Sequence, residues 1–192
     1  MREDVSQKKD EEITRLIQSG KIEFFDILIE RYEEKIKRYS RKFLSDHEDI
    51  NDVLQDIFIK AYKNIQSFDT KRKFSSWLYR IAHNELVNAL KKNKKKSLSL
   101  FDLDVLFPHF FQDNNLNQEI NQKDTKETIE KCLDKLEFKY REPIILYYFE
   151  GLSYQEIADI LQIPVSTVGI RIKRAKEKIK SICKRLGYFY EQ

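Results

Sequence analysis

The sequence predicts an all-α protein of two small helical domains, an N-terminal helical bundle and a C-terminal helix-turn-helix domain, joined by a flexible linker. Three observations carry that expectation. The 192 residues include only four glycines and three prolines, beside 41% hydrophobic and 35% charged residues, which favours long helices over a turn-rich β fold. Apolar residues recur at helical spacing in two blocks. Between the blocks, from Asn93 to Asp124, the period disappears.

In the first block a short helix is expected from about Glu11 to Ser19. A longer one runs from about Ile22 to Leu44, with Phe24, Ile27, Leu28, Tyr32, Ile36, Tyr39 and Phe43 on one face. Asp46 is placed to cap a third helix whose apolar side carries Ile50, Val53, Leu54, Ile57, Phe58, Ala61 and Ile65. After a short polar segment, a fourth helix spans about Phe74 to Lys92. Four helices with short connections form one bundle, giving a first domain over residues 1–92.

The linker, residues 93–124, opens on a lysine cluster, carries Phe101, Phe107, Phe110 and Phe111, and then turns to Asn, Gln and Asp. Its phenylalanines either pack on a flanking domain or fill a groove on a partner. The second domain, residues 125–192, is expected to hold helices near Thr125 to Leu136, Lys139 to Glu150, Ser153 to Leu161 and Pro164 to Leu186.

The formal net charge is only +4, but its distribution is uneven. Lys71, Arg72, Lys73, Arg80 and the lysines from Lys91 to Lys96 face Glu85 as the sole acid between Lys71 and Lys96, and the C-terminal helix repeats the imbalance. Two separated basic surfaces suggest two places where a polyanion is held. Cys132 and Cys183 lie far apart, and His47, His83 and His109 are scattered singly, so no metal site is expected and the cysteines read as buried or idle thiols of a reducing cytosol. The first ten residues lack the apolar core of a signal peptide, and no run approaches a membrane span, so the expected location is cytoplasmic, without membrane insertion. No Gly-rich phosphate loop, metal-spaced carboxylate cluster or nucleophile with a matched base points to an enzyme, and no cofactor is expected.

The stretch from Gly151 to Lys180 is the most specific motif. Ser153 suits an N-cap with Glu156 three residues on, as in a capping box, and Ile157, Ala158, Ile160 and Leu161 form the apolar face of a short helix. Gln162 and Ile163 break the pattern, and Pro164 suits the first turn of the next helix, where a missing N–H costs nothing. There Val168, Ile172, Ala175 and Ile179 define a side to bury, while Arg171, Lys173, Arg174, Lys176, Lys178 and Lys180 keep the remaining surface basic. Two helices joined this way form a DNA-docking unit. A basic amphipathic helix alone is also compatible with a membrane surface or an acidic protein partner.

Three segments in order, 52–62 (DVLQDIFIKAY), 74–84 (FSSWLYRIAHN) and 148–158 (YFEGLSYQEIA), together resemble the extracytoplasmic-function subfamily of bacterial RNA polymerase sigma factors, which keep regions 2 and 4 of the housekeeping superfamily. The resemblance implies a non-catalytic subunit that binds core RNA polymerase, at the clamp coiled coil and the flap, and directs initiation at promoter DNA of a stress or envelope regulon. It also implies, for many relatives, a membrane-bound anti-sigma factor.

By matching position, Asp52, Gln55 and Asp56, with Phe58 and Tyr62, would contact core polymerase; Phe58 and Tyr62 equally suit the bundle core. Ser67, Phe68, Lys71, Arg72, Lys73, Trp77, Arg80 and Asn84 would capture the minus-ten element as a single strand, a basic track combined with aromatic groups. For Trp77 a core role is the favoured reading. Arg80 and Ile81 stand where housekeeping factors carry a duplex-wedging tryptophan pair, so stricter promoter choice is expected. For the minus-thirty-five element, Ser166, Thr167, Arg171 and Arg174 would make base or adjacent phosphate contacts, while Lys173, Lys176 and Lys178 would position the backbone. Gly169 replaces the Lys or Arg of many relatives, which either lets the backbone approach DNA or changes the sequence read.

Three other readings compete. A self-sufficient helix-turn-helix activator needs no Asp52 to Tyr62 stripe, an enzyme acting on nucleic acid lacks its chemistry, and a helical adapter for acidic proteins would ignore DNA sequence.

Overall fold

The computed structural model describes residues 5–96 and 129–186, and among these residues every regular element is a helix. They divide into two compact units, one within Met1–Ser99 together with Gln155–Gln162, the other within Leu100–Tyr154 together with Ile163–Gln192. The linker phenylalanines, and the start of the helix expected from Thr125, lie outside the described residues.

The first unit contains α1 (Asp10–Gln18), α2 (Phe25–Arg41), α3 (His47–Asn64) and α4 (Phe74–Lys96). Asp10, Glu11 and Glu12 place negative charge in the first turn of α1, where the helix dipole favours it. The long helix expected from Ile22 begins instead as a 3₁₀ turn, Ile22–Phe24, and continues as α2, after Gly20, at φ +101°, has closed the preceding helix. Asp46 caps α3 as expected, its Oδ1 accepting from the backbone N–H of Glu48 at 2.8 Å and of Asp49 at 3.1 Å. The fourth helix continues to Lys96, past the expected Lys92.

The core is the apolar stripe read from the sequence: Phe24, Ile27, Leu28, Tyr32, Ile36 and Tyr39 are buried, and they meet Ile50, Val53, Leu54, Ile57, Ala61 and Ile65 of the α3 region. Phe74, Leu78, Ala82 and Leu86 complete it from α4. α3 packs on both α2 and α4. Its long buried aliphatic and aromatic side chains each contribute roughly 1.5–3 kcal/mol by leaving water.

In the second unit, helical residues 129–134 precede α5 (Phe138–Tyr148), and α5 packs on α7 (Val165–Arg185). Buried Arg141 on α5 pairs with Asp134, and burial lowers its guanidinium's pKa. One expectation is overturned. Cys132 and Cys183 are buried but not thiols: they form a disulfide, with Cα atoms 6.0 Å apart across a sequence separation of 51. Spacing along the chain hid the pair, because packing of α7 brings its far end back to residues 129–134. α6 (Tyr154–Leu161), which from Gln155 on is grouped with the first unit, buries Ile157, Ala158 and Ile160, and the chain leaves it through Gln162 at φ 54°. Pro164 occupies the N-cap of α7, with extended ψ 146°, one position before the expected first turn, and its carbonyl accepts from Thr167 and Val168 N–H.

Candidate functional site

On α3, Asp52, Gln55 and Asp56 are exposed, three and four residues apart and therefore on one helical stripe. They line a groove of about 310 Å³ between α3 and α4, whose wall also includes Asp49, Glu85 and Lys92. Glu85 is buried at the groove floor and ion-paired with Lys60 at 2.7 Å. The groove is thus acidic and open, suited to a basic helix. Phe58 is half-buried. Tyr62 is 45% exposed and lays its ring against Phe25 at 5.3 Å in edge-to-face geometry.

The connection from α3 to α4 is tightly organised. A 3₁₀ turn, Ile65–Ser67, leads into it, and Ser67 Oγ donates to the Asn64 carbonyl at 2.8 Å. Asp69 then forms an Asx turn, its Oδ1 accepting from Lys71 N–H at 3.0 Å. Lys71, Arg72 and Lys73 project from this loop and are exposed. Phe68 is buried, with its ring centroid 5.8 Å from Phe74 and 5.0 Å from Trp77. Trp77 is half-buried and also meets Phe74 at 5.5 Å. Trp77, Arg80 and Asn84 share one stripe of α4, and the latter two are exposed. The structure therefore brings the basic loop, the edge of Trp77 and the Asn84 amide onto one bundle.

Three residues that pattern reading passed over contact this loop from α1. Gln18 Nε2 donates to the carbonyls of Ile65 and Phe68, at 2.7 and 2.9 Å. Arg15 Nε donates to Thr70 Oγ1 at 3.3 Å, and Glu11 Oε1 accepts the N–H of Phe74 at 2.9 Å. Their spacing puts them on one stripe of α1, a signal present in the sequence, but nothing in the sequence says what that stripe touches.

On α7, Val168, Ile172, Ala175 and Ile182 are buried, leaving Ser166, Lys173 and Arg174 exposed and Thr167 and Arg171 partly so. Gly169 faces Tyr154, whose ring carbon would lie 3.6 Å from an added Cβ. Tyr147, Tyr148 and Tyr154 form an exposed ring cluster, with centroids 4.8 and 5.1 Å apart. The Lys176 ammonium stands 5.2 Å from the Tyr148 ring centroid, and its hydrogen bond to Tyr148 raises its pKa. Lys178 instead reaches Glu137 Oε1 at 2.8 Å.

Among the described residues no cluster of three or more His, Cys, Asp or Glu side chains is placed to hold a metal. No described helix is long and apolar enough to cross a membrane.

Residues 28–96 match Sigma-70 region 2, and residues 126–179 match Sigma-70, region 4. The chain is 35% identical over 172 residues to the ECF RNA polymerase sigma factor SigW of Bacillus subtilis (strain 168), covering 85% of this chain and 91% of that protein. It is 32% identical over 180 residues to the ECF RNA polymerase sigma-E factor of Escherichia coli (strain K12), covering 90% and 93%. The fold is that of CnrH in its complex with the cytosolic domain of CnrY, with TM-score 0.67, 24% identity and coverage of 92% and 97%. It also matches the sigma factor RpoE bound to the anti-sigma factor NepR from Bartonella quintana, with TM-score 0.63, 22% identity and coverage of 83% and 96%. A two-part helical chain carrying regions 2 and 4 is a promoter-recognition subunit of RNA polymerase. The chain belongs to the extracytoplasmic-function family of sigma factors.

Proposed function

We propose that this sigma factor divides its work among three surfaces. Asp52, Gln55 and Asp56 dock on the basic clamp coiled coil of core RNA polymerase, with Phe58 and Tyr62 supplying apolar contact at the rim. Ser67, Lys71, Arg72 and Lys73, with the exposed part of Trp77, Arg80 and Asn84, hold the minus-ten element as a single strand. Phe68 supports that surface from within. Ser166, Thr167, Arg171, Lys173 and Arg174 read and position the minus-thirty-five duplex, and the same domain meets the polymerase flap.

The observation that carries this reading is a separation of charge within one bundle: the α3 stripe is acidic and lines a groove, while the loop leading into α4 is basic and exposed. One surface suits a protein helix and the other a polyanion. The chain acts as a non-catalytic subunit in the cytoplasm, where the polymerase works, on promoters of a stress or envelope regulon. Its relatives' complexes support an anti-sigma factor as a second partner, one that presents a cytosolic segment.

Replacing Asp52, Gln55 and Asp56 together by alanine tests the assignment. All three are exposed, so folding is preserved. Core affinity, measured by fluorescence anisotropy of labelled protein, should fall by about tenfold or more, with melting temperature unchanged. Unchanged core affinity would remove the α3 stripe from the interface and favour a self-sufficient DNA-binding activator.

A further inference from the structure

We propose that α1 is a clamp that sets the backbone of the single-strand-binding loop before DNA arrives, with Gln18 as its principal positioning residue. This rests on the reading of residues 65–73 as the minus-ten capture loop. α1 lies outside the matched region 2, which begins at residue 28, yet it is an integral part of the bundle: Ile13, Thr14 and Ile17 are buried. It is also fixed at its own start, since Asp10 accepts from Tyr32 Oη and pairs with Arg31, which donates in turn to the carbonyl of Lys8 at 2.8 Å.

From that fixed helix, three side chains hold the loop along its length. The Gln18 amide group donates to two carbonyls, Ile65 and Phe68, and thereby spans the 3₁₀ turn that opens the loop. Both partners are acceptors, so only the amide nitrogen satisfies them and the orientation of Gln18 is determined. Arg15 holds Thr70 in the middle. Glu11 accepts from Phe74 N–H, an unpaired donor of the first turn of α4, where the helix dipole favours a carboxylate. Ser67, Lys71, Arg72 and Lys73 are exposed on a backbone that these bonds hold in place. A loop held in its binding conformation loses less freedom when it closes on a ligand, and so binds more tightly and more selectively.

The test uses the full-length protein assembled with bacterial core polymerase. A fluorescein-labelled single-stranded DNA decamer is first selected from a randomised pool by the wild-type holoenzyme, and affinities are then measured for it and for its single-base variants. Gln18→Met keeps the bulk of the side chain and removes both donors. It should weaken the selected decamer about tenfold and flatten the preference among base variants, while a scrambled decamer and core affinity stay unchanged. Glu11→Met, which removes the acceptor of the Phe74 N–H at similar side-chain length, should act in the same direction and serves if Gln18→Met does not fold.

Equal losses on selected and scrambled decamers with a lowered melting temperature would overturn the proposal in favour of a purely structural helix. Arg72→Ala separates the underlying reading from the inference. If Arg72→Ala lowers affinity for the selected decamer while Gln18→Met leaves the base preference intact, the clamp is wrong and the loop assignment stands. If neither substitution has an effect, the loop assignment falls and the clamp with it.

Discussion

Lys178 donates from Nζ to Oε1 of Glu137 at 2.8 Å, tying α7 to the N-cap residue of α5. The same ammonium stands 5.0 Å from the ring centroid of Tyr140. This lysine belongs by sequence to the basic face of α7, but it is engaged within its own unit, whereas Arg174 projects into solvent.

The Glu137 pair gives a pH signature. The hydrogen bond from Lys178 is the largest influence lowering the Glu137 carboxyl pKa below its ordinary 4.5. A carboxylate lowered on folding stabilises the native state fully above its ordinary value, and that contribution is lost as pH falls through the lowered one. Urea unfolding of wild-type protein and Glu137→Gln should show a stability difference at about pH 6 that shrinks progressively below about pH 4.5. A difference that does not vary with pH would contradict the pair.

Salt dependence separates phosphate contacts from internal ones. For holoenzyme on a duplex carrying the minus-thirty-five element, Arg174→Ala should reduce the slope of log affinity against log salt by about 0.9, the value of one released counterion. Lys178→Ala should leave the slope unchanged, because its charge is already matched by Glu137.

Gly169 should tolerate alanine. An added Cβ would sit 3.6 Å from the Tyr154 ring, an ordinary contact, and Gly169 is inside α7, where glycine costs about 1 kcal/mol relative to alanine. Gly169→Ala should therefore raise stability by up to about 1 kcal/mol in denaturant unfolding. A lysine or arginine there has to pass around the Tyr154 ring.

The Cys132–Cys183 bond closes a separation of 51 residues, and such a crosslink typically stabilises by about 2–4 kcal/mol. Reductant should lower the melting temperature of the wild-type protein. It should have no effect on a Cys132→Ala/Cys183→Ala double variant.

The helices were legible because their signals are local. Asp46 announces α3, and the stripe from Phe24 to Tyr39 announces the buried side of the α2 region with a period that tertiary structure did not override. The exposed positions Asp52, Gln55, Asp56, Arg80 and Asn84 followed from the same periodicity, since the residues left off an apolar stripe face water. What the sequence concealed is long-range. The partners of Gln18 lie 47 and 50 residues away, and those of Cys132 and Glu11 lie 51 and 63 residues away. Phe68 shows the same limit: its composition suits base stacking, and only packing against Phe74 and Trp77 reveals that it is buried.

The most direct test of the account is transcription in vitro from a fragment library of the source genome by purified bacterial core RNA polymerase, with and without this protein, with RNA starts mapped. New starts that share paired upstream motifs at minus ten and minus thirty-five, absent without the protein and lost with the Asp52, Gln55 and Asp56 triple variant, are the predicted result. Absence of new starts together with absence of core binding would contradict it.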